Sequence, residues 1–142
     1  MKRNIGFTLI EMMIVVGILS IILTIAVPNY IRTRMQANEA AAVKNLRTIL
    51  DAQLTYNTAN YAYTADFSDL TSANPPYLNG EWGVPRSGYT FEIEGDANFF
   101  VARANPQSFG ATGWRGFFID PSGVIRWELN AEATESSTPL GS

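Results

Sequence analysis

Residues 7–27 form an apolar run in which Glu11 is the one ionisable side chain. As an α-helix, the run would be roughly 30 Å long, about the thickness of the hydrocarbon layer of a membrane. Its Phe, Leu, Ile and Val residues favour insertion by roughly 4 to 8 kcal/mol, whereas a carboxylate costs about 3 kcal/mol at the centre of a span and less near an end. The sequence therefore predicts a membrane-spanning helix.

The flanks of this run give the predicted orientation. Lys2 and Arg3 precede it, which favours a cytoplasmic N-terminus and an exported C-terminal part. A secretory signal would be shorter and would end at a small-residue cleavage site, and residues 25–30 contain no convincing site of that kind. A plain membrane anchor explains the length and the charge, but it leaves Glu11 as an unexplained cost.

The first residues of the run carry a specific motif. From Gly6 to Glu11 the sequence reads Gly-Phe-Thr-Leu-Ile-Glu, and the apolar run and Pro28 follow. This arrangement resembles the prepilin signature of type IV pilins and their pseudopilin relatives, in which a prepilin peptidase cuts after the Gly and methylates the new N-terminus. The resemblance implies a leader of residues 1–6, cleavage between Gly6 and Phe7, and N-methylation of Phe7.

Glu11 needs a partner because an unpaired charge in hydrocarbon is expensive. Cleavage would create one, the amino group of Phe7. Glu11 can reach that amine in its own chain or, as the family resemblance implies, in a neighbouring subunit, where the charge pair would set the register of assembly. The alternative is a Glu11 side chain that is merely solvated at the membrane interface.

Pro28 is expected to kink or loosen the helix, because it cannot donate a hydrogen bond to the carbonyl of Thr24. This arrangement resembles that of pilin helices, in which a proline lets part of the span unwind during assembly. Ser20 stands where many family members carry a glycine, although Gly17 is close by. A passive kink where the helix leaves the membrane is the alternative interpretation.

The sequence as a whole predicts an α+β fold, with a long N-terminal helix packed against a small antiparallel sheet. Residues 7–28 form the transmembrane and assembly helix, and residues 29–58 continue it as an amphipathic helix. Residues 59–142 form a globular head with a long loop, an antiparallel sheet and an acidic, Ser/Thr-rich tail that is expected to be mobile. The apolar stripe of the helix recurs at a period near 3.6 residues, at Val43, Leu46, Ile49, Leu50 and Leu54.

Within the head, the pattern predicts one helical turn near residues 66–70 and four strands. Tyr89, Phe91 and Ile93 alternate with polar residues, as in a half-buried strand. The other strands are predicted at residues 99–102, 117–119 and 124–127, and a turn at residues 120–123 joins the last two into a hairpin. The sheet is expected to cover the helix at residues 43–54.

The composition argues against several classes of function. The chain has no His and no Cys, which removes the commonest general base, thiol chemistry, disulfides and thiolate metal sites. It carries a net charge of −3 and has no basic patch with interleaved aromatic residues. We therefore expect no enzymatic activity, no cofactor, no metal and no nucleic-acid partner.

Candidate sites in the head are weak. Glu92, Glu94 and Asp96 would share a strand face and either bind a cation or stay solvated. Asp120 and Ser122 suit a turn better than a nucleophile. Five aromatic residues form either a ligand or adhesion surface or part of the packing of the core and loops: Tyr61, Tyr63, Tyr77, Trp82 and Trp114.

Together these features predict a structural subunit of a type IV pilus. Its expected partners are neighbouring pilin subunits, the prepilin peptidase, the pilus assembly machinery of the inner membrane and, before assembly, membrane lipids. The precursor would be a single-pass protein of the cytoplasmic membrane, and the assembled filament would be extracellular. One alternative is a pseudopilin of a type II secretion system, although the calcium-binding loop usual there is not recognisable. Another is a membrane-anchored exported domain that does not polymerise.

Overall fold

A computed structural model describes residues 6–141 and contains, within them, a long helix, a short helix and a five-stranded antiparallel sheet. The chain divides into two compact units, Met1–Thr33 and Arg34–Ser142. The predicted α+β class, with a long N-terminal helix and a small antiparallel sheet, is confirmed.

Helix α1 comprises Leu9–Asn60, so it ends two residues beyond the predicted end at residue 58. Within the unit 34–142 it buries one face against the head. The buried positions are three or four residues apart until the last pair, which is the spacing of one helix face. They are Met35, Glu39, Ala42, Leu46, Ile49, Ala52 and Gln53.

This buried face is rotated slightly from the predicted stripe. Leu46 and Ile49 are fully buried, but Leu54 is 41% exposed, so its prediction as part of the stripe is wrong. Gln53 lies in the core instead, because its amide donates to Thr64 O at 2.7 Å and accepts from Thr64 N at 3.2 Å. A polar side chain is tolerated there because both ends of its amide are paired.

The short helix α2 comprises Phe67–Thr71, close to the predicted turn at residues 66–70. Asp66 caps it by accepting a hydrogen bond from Ser68 N at 2.8 Å. Hydrogen bonds from Ser68 hold the pKa of Asp66 below its usual range. Leu70 is fully buried and anchors α2 to the core.

The sheet is a meander in which each strand pairs with the next one along the chain. The pattern of β1 confirms the predicted alternation, because Tyr89, Phe91 and Ile93 are buried and Glu92 and Glu94 are exposed. The strands are β1 Tyr89–Gly95, β2 Phe100–Pro106, β3 Arg115–Ile119, β4 Arg126–Leu129 and β5 Thr138–Pro139.

The predicted hairpin between β3 and β4 is confirmed. Phe117 pairs with Trp127, and Gly123 N donates to Asp120 O at 3.0 Å across the connecting turn. Gly123 has φ 77°, a conformation that glycine adopts without strain. The strand itself begins at Arg126 rather than at residue 124.

The C-terminal segment, residues 130–141, is packed against the head, so the prediction of a mobile tail is wrong. Ala133 is fully buried, β5 pairs with β4, and Leu140 N donates to Ile125 O at 2.7 Å. Gly116 makes room for this segment, because a Cβ at that position would collide with the carbonyl oxygen of Ala131. We call residues 130–141 the C-terminal strap.

Candidate functional site

The first turn of α1 is closed by Thr8 and Glu11. Glu11 Oε2 accepts hydrogen bonds from Thr8 N at 2.8 Å and from Thr8 Oγ1 at 2.7 Å. In return, Glu11 N donates to Thr8 Oγ1 at 3.3 Å. This reciprocal arrangement is a capping box, which satisfies backbone donors that the helix itself leaves free.

Only one of the two carboxylate oxygens of Glu11 is used in this cap. Within residues 6–141, Glu11 Oε1 accepts no hydrogen bond. Glu11 is exposed, so the second oxygen is accessible to a donor from outside the chain. The site can therefore bind a further cationic or N–H donor without breaking the cap.

Gly6 and Phe7 precede α1, and both are exposed. The Phe7 side chain is 80% exposed. The Gly6–Phe7 bond thus lies outside regular helix in an exposed segment, the kind of backbone that a peptidase cuts. Lys2, Arg3 and the rest of the predicted leader before Gly6 lie outside the described residues.

Pro28 lies inside α1, which continues as α-helix on both sides of it. Ser20 Oγ donates to Val16 O and Thr24 Oγ1 donates to Ser20 O, each at 2.7 Å. Hydroxyls that bond back by one turn slightly destabilise a helix and often bend it. Gly17 is exposed on this stretch. The kink and local unwinding predicted at Gly17, Ser20 and Pro28 stay predictions.

The apolar side chains of the first half of α1 are not covered by any part of the chain that the structure describes. Among the described residues, α1 is long and apolar enough to cross a membrane, with a mean hydropathy of 2.6 over its best window, none of which is buried. Ile21 and Ile25 are 67% and 65% exposed. A continuous apolar surface of this kind needs lipid or a protein partner.

Glu39 is a key polar residue that the sequence reasoning missed. Its side chain is 5% exposed, and it accepts hydrogen bonds from Trp114 N at 2.9 Å, Arg115 N at 3.2 Å and Arg115 Nε at 2.8 Å, with Arg115 Nη2 at 2.7 Å. Asn38 adds a bond to Thr112 O at 2.9 Å. The available signal was a carboxylate in phase with Ala42 and Leu46 on the buried face of α1.

Two of the three acidic candidates in β1 and the turn after it have structural partners. Glu94 pairs with Arg103 at 2.8 Å, and Asp96 Oδ1 accepts from Asn98 N at 2.7 Å and Phe99 N at 3.2 Å. Glu92 is exposed. Within residues 6–141, no group of three or more acidic, His or Cys side chains is placed to hold a metal ion.

The other candidate residues in the head differ in their surroundings. Asp120 and Ser122 contact each other inside the β3–β4 turn, as turn chemistry predicts. Three of the five aromatic candidates pack against other rings: Tyr63 on Phe100, Tyr77 on Tyr56, and Trp82 between Phe67 and Phe91. Tyr61 and Trp114 remain. Tyr61 is 91% exposed, and Trp114 lines a cleft beside Arg115.

Comparison with known proteins supports the interpretation of the N-terminal motif as a prepilin signature. The family model for the prokaryotic N-terminal methylation motif matches residues 1–27. The chain is 40% identical over 67 residues to the type IV major pilin protein PilA of Myxococcus xanthus, which is 47% of this chain and 30% of that protein. It is 33% identical over 72 residues to the type IV wide pilus major component PilA4 of Thermus thermophilus, which is 51% of this chain and 55% of that protein.

These matches cover less than two thirds of the length of either relative. They agree with the structure of α1, whose first turn is capped by Glu11 and whose following residues form a long apolar surface. The chain thus carries the prokaryotic N-terminal methylation motif and is homologous, over about half of its own length, to type IV major pilins.

Proposed function

We propose that this protein is a structural subunit of a type IV pilus that polymerises through α1 into an extracellular filament. The observation that carries the proposal is the methylation motif at residues 1–27, which includes the apolar first part of α1 that the described residues leave uncovered. The names of the two relatives, both major pilus components, support a pilus rather than another use of the motif.

In this proposal, a prepilin peptidase removes residues 1–6 and methylates the amino group of Phe7. Before cleavage the chain is a single-pass membrane protein with Lys2 and Arg3 on the cytoplasmic side and the head exported. Lipid covers the apolar half of α1 at that stage. In the filament, the same half of α1 in neighbouring subunits replaces the lipid, with the inner-membrane assembly machinery moving the subunit from one environment to the other.

Glu11 sets the axial register of the filament in this account. Thr8 holds Glu11 Oε2, and Oε1 is open to the positive amino group that cleavage creates on Phe7 of a neighbouring subunit. Apolar helices can slide along one another, whereas a charge pair in a medium of low dielectric constant favours one position. In this proposal, α1 loosens between Gly17, Ser20 and Pro28 and so adjusts as subunits pack.

Substitution of Glu11 tests the proposal. The variant Glu11→Ala removes a cost of insertion, so the chain should still enter the membrane, but the amount of protein in filaments sheared from cells should fall at least tenfold. The matched control is Glu92→Ala, which removes an exposed carboxylate from the head. Normal filaments in Glu11→Ala cells would contradict the assembly role of Glu11. Loss of the protein from the membrane would contradict the insertion argument.

A further inference from the structure

An open cleft of about 270 Å³ lies within the unit 34–142, where α1 passes the beginning of β3 and the end of β4. Two tryptophan side chains form part of its wall. We call it the Trp cleft, and its lining residues are Gln36, Glu39, Trp114, Arg115, Trp127 and Leu129.

The Trp cleft combines apolar surface with unused donors. The Arg115 guanidinium lies 5.4 Å from the centre of the Trp127 ring and is bound to Glu39 through Nε and Nη2. Within residues 6–141, Arg115 Nη1 and the indole N–H groups of Trp114 and Trp127 have no acceptor. Leu129 is 55% exposed beside them. Trp and Arg are enriched at the energetic centres of protein interfaces, and this site favours a flat apolar group that carries an acceptor.

The chain presents such a group at the other end of the same part of α1. Tyr61 directly follows α1, is 91% exposed and has φ 55°. This position after a helix is usually glycine, because a Cβ is strained in the left-handed conformation. The ring makes no ring–ring contact among the described residues. The fold therefore holds an aromatic ring and its hydroxyl oxygen out into solvent at a strained position.

The exposed tyrosine and the Trp cleft lie far apart on the head. Along α1, the cleft residue Glu39 and the end of the helix at residue 60 are roughly 30 Å apart. An exposed aromatic ring and a tryptophan-lined cleft thus lie at opposite ends of the head.

We propose that Tyr61 of one subunit inserts into the Trp cleft of a second copy of this chain, where the Tyr61 hydroxyl oxygen accepts from the unused N–H groups of the cleft. Because donor and acceptor surfaces are different parts of the molecule, the contact is heterologous and repeats without closing a dimer. It would join heads that are displaced by about 30 Å, the distance between the two ends. This inference rests on the proposed function, since it describes a contact along the filament.

Cysteine cross-linking in native filaments tests the contact, and the natural chain contains no cysteine to interfere. Cells make the full-length double variant Tyr61→Cys/Leu129→Cys, and a short bismaleimide is added to their sheared filaments. We expect a ladder of dimers, trimers and larger species on a denaturing gel, because each subunit is linked at both ends. Each single variant should stay monomeric.

The matched control is Thr55→Cys/Leu129→Cys, which moves one cysteine from Tyr61 to an exposed position within α1 and should give no ladder. If the double variant does not assemble by itself, it is produced together with the natural chain, and short cross-linked chains are expected instead. Filaments that contain the protein but give no ladder would overturn the contact and leave the proposed function standing. Absence of the protein from filaments of unmodified cells would overturn the proposed function and the contact with it.

A second variant separates the contact from the stability of the subunit. Tyr61→Gly relieves the backbone strain, so the midpoint of thermal unfolding of the full-length subunit in detergent should be unchanged or higher. We expect the amount of sheared filament to fall about tenfold all the same. Filaments as abundant and as heat-resistant as those of the natural protein would contradict the proposal, and so would cross-links from position 61 to an unrelated protein.

Discussion

Glu39 shows how much of the stability of the head depends on one carboxylate. It links the buried face of α1 to the beginning of β3 through two backbone N–H groups and the guanidinium of Arg115. Removing one member of a buried pair leaves the others desolvated and unpaired, which is more costly than losing a surface pair.

We therefore expect Glu39→Gln to lower the free energy of unfolding of the head by about 3 kcal/mol, as measured by denaturant titration of the full-length subunit in detergent. The matched control is Glu94→Gln, which breaks a similar pair with Arg103 but at a carboxylate that is 62% exposed. That variant should change the free energy by about 0.5 kcal/mol or less. Equal effects of the two substitutions would contradict the role assigned to Glu39.

Tyr89 predicts a dependence of stability on alkaline pH. Burial raises the pKa of its phenol, and the nearby Glu39 carboxylate raises it further. Its hydroxyl donates to Arg115 O at 2.8 Å, and there is no space for a side chain at Gly113 beside the ring. A raised pKa means that the folded protein keeps a proton that the unfolded chain loses above its own pKa, about 10 for tyrosine.

The stability contributed by this proton is thus fully present below about pH 10 and is lost as the pH rises above it. We expect Tyr89→Phe to be less stable at neutral pH but to lose less stability between about pH 9 and 11 than the natural protein. Unfolding midpoints measured across this range check the difference. If the unfolding midpoints of the two proteins changed identically with pH, Tyr89 would have the same pKa in the folded protein and in the unfolded chain.

At the scale of whole elements, the C-terminal strap acts as part of the head. Ala133 is fully buried, and Arg126 Nη1 donates to Ser137 O at 3.2 Å. Thr134 N and Ser137 Oγ close a small turn at 2.9 Å. Through β5 the strap extends the edge of the sheet beside β4, in a chain that has no cysteine to close its C-terminal region with a disulfide.

The variant Ala133→Asp tests this role of the strap. A carboxylate at a fully buried position with no partner should lower the free energy of unfolding by about 3 kcal/mol. Ala131→Asp adds the same charge two residues away at an exposed position and should leave the stability nearly unchanged. If both variants unfold like the natural protein, the strap does not hold the head.

The elements that could be predicted from the sequence are those with a strong period. The alternation in β1 and the turn before β4 were read correctly because each depends on neighbouring residues. The strap and the second half of β2 were missed, because each is held by a partner in another strand. Arg103 in β2 pairs with Glu94 in β1, and the backbone carbonyl of Ser137 in the strap accepts a hydrogen bond from Arg126 in β4. Local propensity does not contain that information.

The candidate site also contains some residues that the sequence predicts and others that it does not. Glu11, Phe7 and Gly6 are recognisable because their spacing forms a motif. The capping role of Thr8 was available from its spacing to Glu11, because Thr-x-x-Glu before an apolar run is the signature of a capping box, and the hydrogen bonds show that the box forms. Glu39 was missed because a charged residue in a helix is ordinarily read as solvated, and its partners lie 75 and 76 residues away.

At the scale of the whole molecule, the chain carries two kinds of surface that suit assembly. The apolar half of α1 is uncovered by any of the described residues, and the head exposes acidic groups around an ordered sheet. An apolar helix needs either lipid or neighbouring helices around it, whereas the head has a buried core of its own. In the proposed function, processing at Phe7 converts the membrane-bound form into the polymerising one.

The N-terminus of the protein in filaments tests this account most directly. Filaments are sheared from native cells, and the first residues of this protein are determined by mass spectrometry. The account predicts a chain that begins at N-methylated Phe7 in the sheared fraction. A chain that begins at Met1, in cells with an active prepilin peptidase, would contradict it and would leave a plain membrane anchor as the explanation of residues 7–27.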